Sequence, residues 1–133
     1  MLKTYHGSCH CGKVRFEADI DLSQGTLRCN CSVCIKVRFW PAVVKRAAFR
    51  LLCGEDALSL YQFHTRTDEH FFCKHCGVRS FGTGNSARWG EFHAVNVTCL
   101  DDVTDEELAT SPITYLDGRN DQWETPPRET GYL

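Results

Sequence analysis

The clearest pattern in the chain is a strict alternation of apolar and polar residues at positions 13–20. Val14, Phe16, Ala18 and Ile20 are separated by residues that are all charged. Successive side chains of a β-strand point to opposite faces, so this pattern predicts a strand with one buried face.

Shorter apolar runs recur along the chain, at residues 49–53, 59–63, 70–73 and 92–99. We interpret the glycines near them as turn residues: Gly54, Gly77, Gly82, Gly84 and Gly90. Many short strands separated by turns predict an all-β sandwich or barrel.

Helical signals are sparse. Thr104 with Glu107 three residues later has the capping-box pattern, and Pro112 would end the short helix that follows. Residues 32–37 contain neither Gly nor Pro and could form a single helical turn. No repeat or linker divides the chain, so we expect one domain over residues 1–133 with a loose tail from about residue 120.

Composition narrows the class of protein. The 133 residues carry 15 Lys and Arg against 17 Asp and Glu, and a net charge of −2 argues against a general nucleic-acid binder. The longest apolar stretches, such as residues 39–44, are far shorter than the roughly 20 residues of a membrane-spanning helix. The first ten residues lack the apolar segment of a secretory signal, so we expect a cytoplasmic location.

Nine cysteines are the outstanding feature of this composition. An odd number cannot pair completely, and thiols stay reduced in the cytosol, so metal binding is the leading explanation. Seven of the cysteines form three close groups: Cys9 and Cys11; Cys29, Cys31 and Cys34; Cys73 and Cys76.

Two pairs of cysteines supply the four ligands of a closed, structural zinc site, which we assign to Cys9, Cys11, Cys73 and Cys76. Gly12 and Gly77 directly follow the second cysteine of each pair, where a glycine permits a tight turn around the metal.

The middle group, Cys29, Cys31 and Cys34, supplies three thiolates, the ligand count of a catalytic zinc with one open position. Zinc with three thiolates carries one net negative charge, so it suits a substrate thiol better than the activation of water. We therefore predict two zinc ions per chain.

One alternative to an open second site stays possible at this point. All seven cysteines could hold structural metal, with a histidine completing the second site: His10, His64, His70, His75 or His93. The isolated Cys53 follows Leu51 and Leu52, and the isolated Cys99 shares strand parity with Val95 and Val97. Both are therefore expected to be buried core thiols.

Charge is unevenly distributed along the chain. Residues 22–54 contain no acid and six cations: Arg28, Lys36, Arg38, Lys45, Arg46 and Arg50. This basic segment surrounds the three-cysteine motif and could attract a substrate that bears carboxylates. Equally, it could be a solvated face that balances acids elsewhere.

The sequence resembles the glutathione-dependent formaldehyde-activating family, whose domain is also found in centromere protein V. The resemblance covers nearly the whole chain and rests on three ordered motifs, which span residues 7–16, 29–34 and 72–77. It implies a complex β-sandwich with few short helices, organised around a four-cysteine structural zinc and a three-cysteine zinc.

The implied activity is that of a carbon–sulfur lyase. It joins glutathione and formaldehyde to S-hydroxymethylglutathione, or cleaves that adduct. The small anionic thiol and the aldehyde would be its partners. Two other functions compete with it: a non-catalytic zinc module that binds a partner or carries thiols, and a methionine sulfoxide reductase, which needs a free nucleophilic cysteine near the C-terminal end.

Overall fold

Ten short strands and two short helices make up the computed structural model, which describes all residues 1–133. The strands are β1 (Lys3–Ser8), β2 (Arg15–Ile20), β3 (Thr26–Cys29), β4 (Pro41–Lys45), β5 (Phe49–Cys53), β6 (Leu58–Tyr61), β7 (Glu69–Cys73), β8 (Phe81–Ser86), β9 (Gly90–Asn96) and β10 (Ile113–Leu116). The helices are α1 (Cys34–Val37) and α2 (Asp105–Thr110). The fold is mostly β, as predicted.

Three sheets share these strands. One has the order β1-β2-β5, a second has the order β4-β9-β8-β7-β6, and all their pairings are antiparallel. The third is a parallel pair formed by β3 and β10, which are far apart in the sequence. The chain therefore returns near its C-terminus to the strand that precedes the three-cysteine motif.

The alternating segment forms β2, and its apolar face is buried as predicted. Val14, Phe16 and Ala18 have no exposed surface, and Ile20 is 2 % exposed. Phe16 stacks on Phe49 of β5 with ring centres 5.3 Å apart, and Phe49 in turn packs 4.5 Å from Phe81 of β8. These aromatic contacts hold the three-stranded sheet against the five-stranded sheet.

Both helical predictions are confirmed. The Thr104 side chain accepts from the Glu107 N–H, and the Glu107 carboxylate accepts from the Thr104 N–H, which completes the capping box before α2. Helix α1 falls within residues 32–37. No helix in the structure is long and apolar enough to cross a membrane.

The interpretation of Gly82 and Gly84 as turn residues is wrong, because both lie within β8. They are glycines because neighbouring atoms fill the space of a side chain. A Cβ on Gly84 would lie 2.4 Å from the Phe92 ring, and a Cβ on Gly82 would lie 2.8 Å from the Glu69 carbonyl oxygen. A glycine inside a strand marks such close approaches.

The expectation of a buried thiol holds for Cys99 but is wrong for Cys53. Cys99 is 8 % exposed and belongs to the core, whereas Cys53 is exposed. The register of β5 against β2 shifts between Arg15 and Phe16, so Leu51 pairs with Phe16 and Cys53 pairs with Arg15. The extra residue reverses the alternation and turns Cys53 towards the face of the exposed Arg15.

Gly54, after β5, is pressed against the loop that carries the first cysteine pair. Its φ is +93°, and a Cβ there would lie 2.1 Å from the Lys13 carbonyl oxygen. We expect Gly54→Ala to lower the free energy of unfolding by about 1–3 kcal/mol or more. The new alanine would adopt a strained φ, and the backbone around Lys13 would also have to move to make room for its Cβ. Gly90→Ala is the matched control, because its φ is +66° but no atom lies within 4 Å. Equal losses for the two variants in urea denaturation would contradict this account.

Candidate metal centres and the adjoining cavity

The first group of cysteines joins the two large sheets. Cys9 and Cys11 follow the end of β1, Cys73 ends β7, and Cys76 lies in the turn before β8. The four sulfur atoms lie within 4.8 Å of one another, and Cys11 Sγ is 3.6 Å from both Cys9 Sγ and Cys73 Sγ. The structure thus brings together the four residues that the sequence assigned to a closed site.

The two loops that carry these cysteines have the same backbone design. The Cys9 N–H donates to the Val14 carbonyl, and the Cys73 N–H donates to the Val78 carbonyl, each at 3.0 Å. Within these loops Gly12 and Gly77 have φ values of +80° and +79°. Each loop therefore closes through a glycine in the left-handed region, which a residue with a Cβ adopts only at a cost.

The four-sulfur group fits a tetrahedral metal ion. Zinc–sulfur bonds of about 2.3 Å give sulfur–sulfur edges of about 3.8 Å, close to the separations observed. Backbone N–H groups support the thiolate form: Val14 N–H donates to Cys9 Sγ and His75 N–H to Cys73 Sγ, both at 3.4 Å. Burial raises the pKa of Cys76, but N–H groups around its sulfur outweigh that effect and lower the pKa to about 6.

The second group contains Cys29 at the end of β3, Cys31 in the following loop and Cys34 at the start of α1. Their three sulfur atoms also lie within 4.8 Å of one another. No histidine belongs to either group, which leaves no structural support for a histidine as the fourth ligand.

Contacts between the sulfur atoms couple the ionisation of the three cysteines in this group. Hydrogen bonds from Cys29 and Cys34 lower the pKa of Cys31 to about 2, and the same contacts raise the pKa of Cys34. The Cys31 N–H donates in turn to Cys29 Sγ at 3.3 Å. At least one of the three sulfurs is therefore stabilised as a thiolate, which is the form that binds a metal ion.

Asn30 holds the three-cysteine loop in place. It is 3 % exposed, and its side chain donates to Asp117 Oδ1 at 2.8 Å and accepts from the Arg119 N–H at 3.0 Å. Asp117 is also buried and lies just after β10. This pair fastens the loop to the C-terminal strand, beside the parallel pairing of Leu116 with Cys29.

Gly118 lies directly against the sulfur atoms. A Cβ at this position would be 2.7 Å from Cys29 Sγ, 2.8 Å from the Trp123 ring and 3.0 Å from Cys31 Cβ. Only glycine leaves the three sulfurs in their present arrangement.

A cavity of about 930 Å³ opens beside the three-sulfur group, and all three cysteines line it. Aromatic rings form much of its wall: Phe39, Phe63, Trp89, Phe92 and Trp123. The volume lies within the range of small-molecule sites, which are mostly apolar with a few fixed polar groups. The four-sulfur group, by contrast, does not line it.

Two buried or half-buried polar residues line this cavity, one in the five-stranded sheet and one just before β8. His70 of β7 is 9 % exposed, and burial lowers its pKa to about 4, so its imidazole is neutral at physiological pH. Arg79, just before β8, stacks on Phe39 with its guanidinium carbon 3.9 Å from the ring centre. Both side chains have buried nitrogen atoms without a hydrogen-bond partner.

The basic segment contributes little to the cavity. Of its six cations, only Lys36 lines it. Arg50 instead forms ion pairs with two acids of β2, at 2.6 and 2.9 Å. The other cations at the cavity, Arg79 and Arg119, lie outside that segment.

Sequence reasoning missed the roles of Arg79, Asn30 and Asp117. Asn30 has a local signal, since it lies between two cysteines of the motif, where its side chain must fit a tight loop. Arg79 and Asp117 have no local sequence signal, because only contacts with residues distant in the chain define their positions.

Comparison with known proteins agrees with this geometry. The family model described as glutathione-dependent formaldehyde-activating enzyme matches residues 4–117. A crystal structure of a Rhodobacter sphaeroides protein is similar with a TM-score of 0.70 and 34 % sequence identity, covering 82 % of this chain and 99 % of that one. The family match includes all seven grouped cysteines. The chain therefore belongs to the glutathione-dependent formaldehyde-activating family.

Proposed function

We propose that this protein catalyses the formation or cleavage of a carbon–sulfur bond between a small thiol, with glutathione favoured, and an aldehyde such as formaldehyde. The observation that carries this proposal is the three-sulfur group at the wall of a large cavity, from which a fourth donor could reach a metal ion held by these sulfurs. The family name, which specifies glutathione and formaldehyde, supports the choice of reactants.

The three sulfurs and the four sulfurs suit different tasks. A zinc ion on Cys29, Cys31 and Cys34 would supply a soft Lewis-acidic centre with one open position, which favours the thiolate form of a substrate thiol. The group formed by Cys9, Cys11, Cys73 and Cys76 is complete with four donors and lies away from the cavity, so we assign it a structural zinc.

The protein's own residues hold and enclose the reactants. Asn30 and Asp117 fix the loop that presents the sulfurs, and aromatic side chains line the space beside them. In the forward reaction the thiol sulfur bonds to the carbonyl carbon, the C=O π bond breaks, and the carbonyl oxygen takes up the proton lost by the thiol. Positioning of the two reactants is the main contribution of the cavity.

The two cysteine groups should respond differently to mutation. Wild-type protein should hold two zinc ions, and Cys31→Ser and Cys76→Ser should each retain one. Cys76→Ser should also lower the melting temperature strongly, because metal binding at a closed site contributes directly to folding. Cys31→Ser should melt close to wild type but lose activity. Metal analysis and thermal melts check this, and unfolding by Cys31→Ser alone would reverse the assignment.

The contact between Gly118 and Cys29 allows a test of the three-cysteine site that removes no ligand. Gly118→Ala should displace Cys29 Sγ and weaken zinc binding at the three-cysteine site by about tenfold or more, in the range of disturbed metal-site surroundings. The four-cysteine site should keep its zinc. Gly131→Ala is the control, because no atom lies within 4 Å of a Cβ there. Chelator competition measures both affinities, and unchanged affinity in Gly118→Ala would refute the proposed role of this glycine.

A comparison of two ligands separates the contribution of the thiol group to binding from that of the rest of glutathione. Calorimetric titration of zinc-loaded protein should show that glutathione binds at least tenfold more tightly than S-methylglutathione, because only the free thiol can complete the metal site as a thiolate. Equal affinities, or no binding of either up to millimolar concentration, would remove the glutathione proposal and favour a non-catalytic zinc module.

A further inference from the structure

The guanidinium of Arg79 is a half-buried charge without an ionic partner. Its Nε and Nη1 atoms are buried without a hydrogen-bond partner, and no carboxylate forms an ion pair with it. Arginine is seldom buried unless it is paired, because desolvation of a charge costs several kcal/mol. Its position is therefore poorly explained by stability.

The surroundings hold this side chain at the cavity. Phe39 supports one face of the guanidinium, and Arg79 lines the same cavity as the three-cysteine group. A Cβ on Gly82 would lie 3.2 Å from Arg79 Nη2, so the absence of a side chain at Gly82 leaves space for this end of the guanidinium group. The charged group is thus held on an aromatic ring at the cavity wall.

The nearby negative charges do not satisfy it. The charges of Cys34, Cys31 and Asp68 act on Arg79 from a distance, and burial lowers its pKa despite them. The three cysteines are moreover committed to their own group. The cavity consequently offers the guanidinium of Arg79 to any anionic group that enters beside the three sulfurs.

The geometry points to Arg79 as the residue that binds a carboxylate of the thiol substrate while the substrate sulfur lies at the three-cysteine group. This assignment rests on the proposed function and adds to it the part of the substrate that is recognised. A carboxylate is the permanently anionic group of such a thiol, whereas the aldehyde and its hydroxymethyl adduct are neutral. The guanidinium fork matches carboxylate geometry.

The test compares glutathione with glutathione diethyl ester, which keeps the free thiol and lacks both carboxylates. Titration of zinc-loaded wild-type protein should show that glutathione binds about tenfold or more tightly, the usual worth of a charge-assisted hydrogen bond. In Arg79→Gln this ratio should fall to about one, with the affinity for the ester nearly unchanged. Arg79→Lys should restore part of the ratio, because it keeps the charge but loses the fork.

Arg128→Gln removes an equal charge at an exposed position of the tail and should leave the ratio unchanged. Melting curves and zinc content of each variant separate a binding role from a structural one, since general loosening of the fold weakens both ligands alike. Equal binding of the two ligands to wild type, or a ratio that survives Arg79→Gln, would overturn the assignment and leave the proposed function intact. No binding of either ligand to wild type would remove both.

Discussion

The convergence of four cysteine sulfurs from two sheets is the constraint on which the rest of this structure depends. Cys9 and Cys73 are 3 % and 1 % exposed and form part of the core, so the point that joins the sheets is also packed like an interior. It fixes the end of β1 against the end of β7. With that junction set, Phe16, Phe49 and Phe81 can pack between the sheets in a single arrangement.

The three-cysteine group depends on a different part of the molecule. Its loop is held by β10 and the buried pair of Asn30 and Asp117, and the five-stranded sheet supplies the opposite wall of the cavity. The four-cysteine junction and the cavity are thus supported by different parts of the fold. Four residues of the cavity wall lie beyond the segment matched by the family model: Gly118, Arg119, Asp121 and Trp123.

Much of this could be predicted from local pattern and spacing. The alternation around Phe16 and the Thr104 capping box each determine their own element, and the cysteine spacing identified both sulfur groups. The failures have physical causes outside any local window. Strand β8 was hidden because its two glycines make room for Phe92, Asp68 and Arg79, and Cys53 was misjudged because one bulged residue reverses the alternation. The position of the Arg79 side chain depends on its contact with Phe39, an aromatic residue forty positions earlier in the chain.

The parallel pairing of β3 with β10 also sets an order of assembly. Cys29 lies opposite Leu116, so its strand has no partner until nearly the whole chain has left the ribosome. The four-sulfur group can close once Cys76 has emerged, well before that. Closing so long a loop is slow and entropically costly, and it is easier when the intervening chain is already compact. The strand pair that supports the three-cysteine group is therefore completed last, on a framework that is already compact.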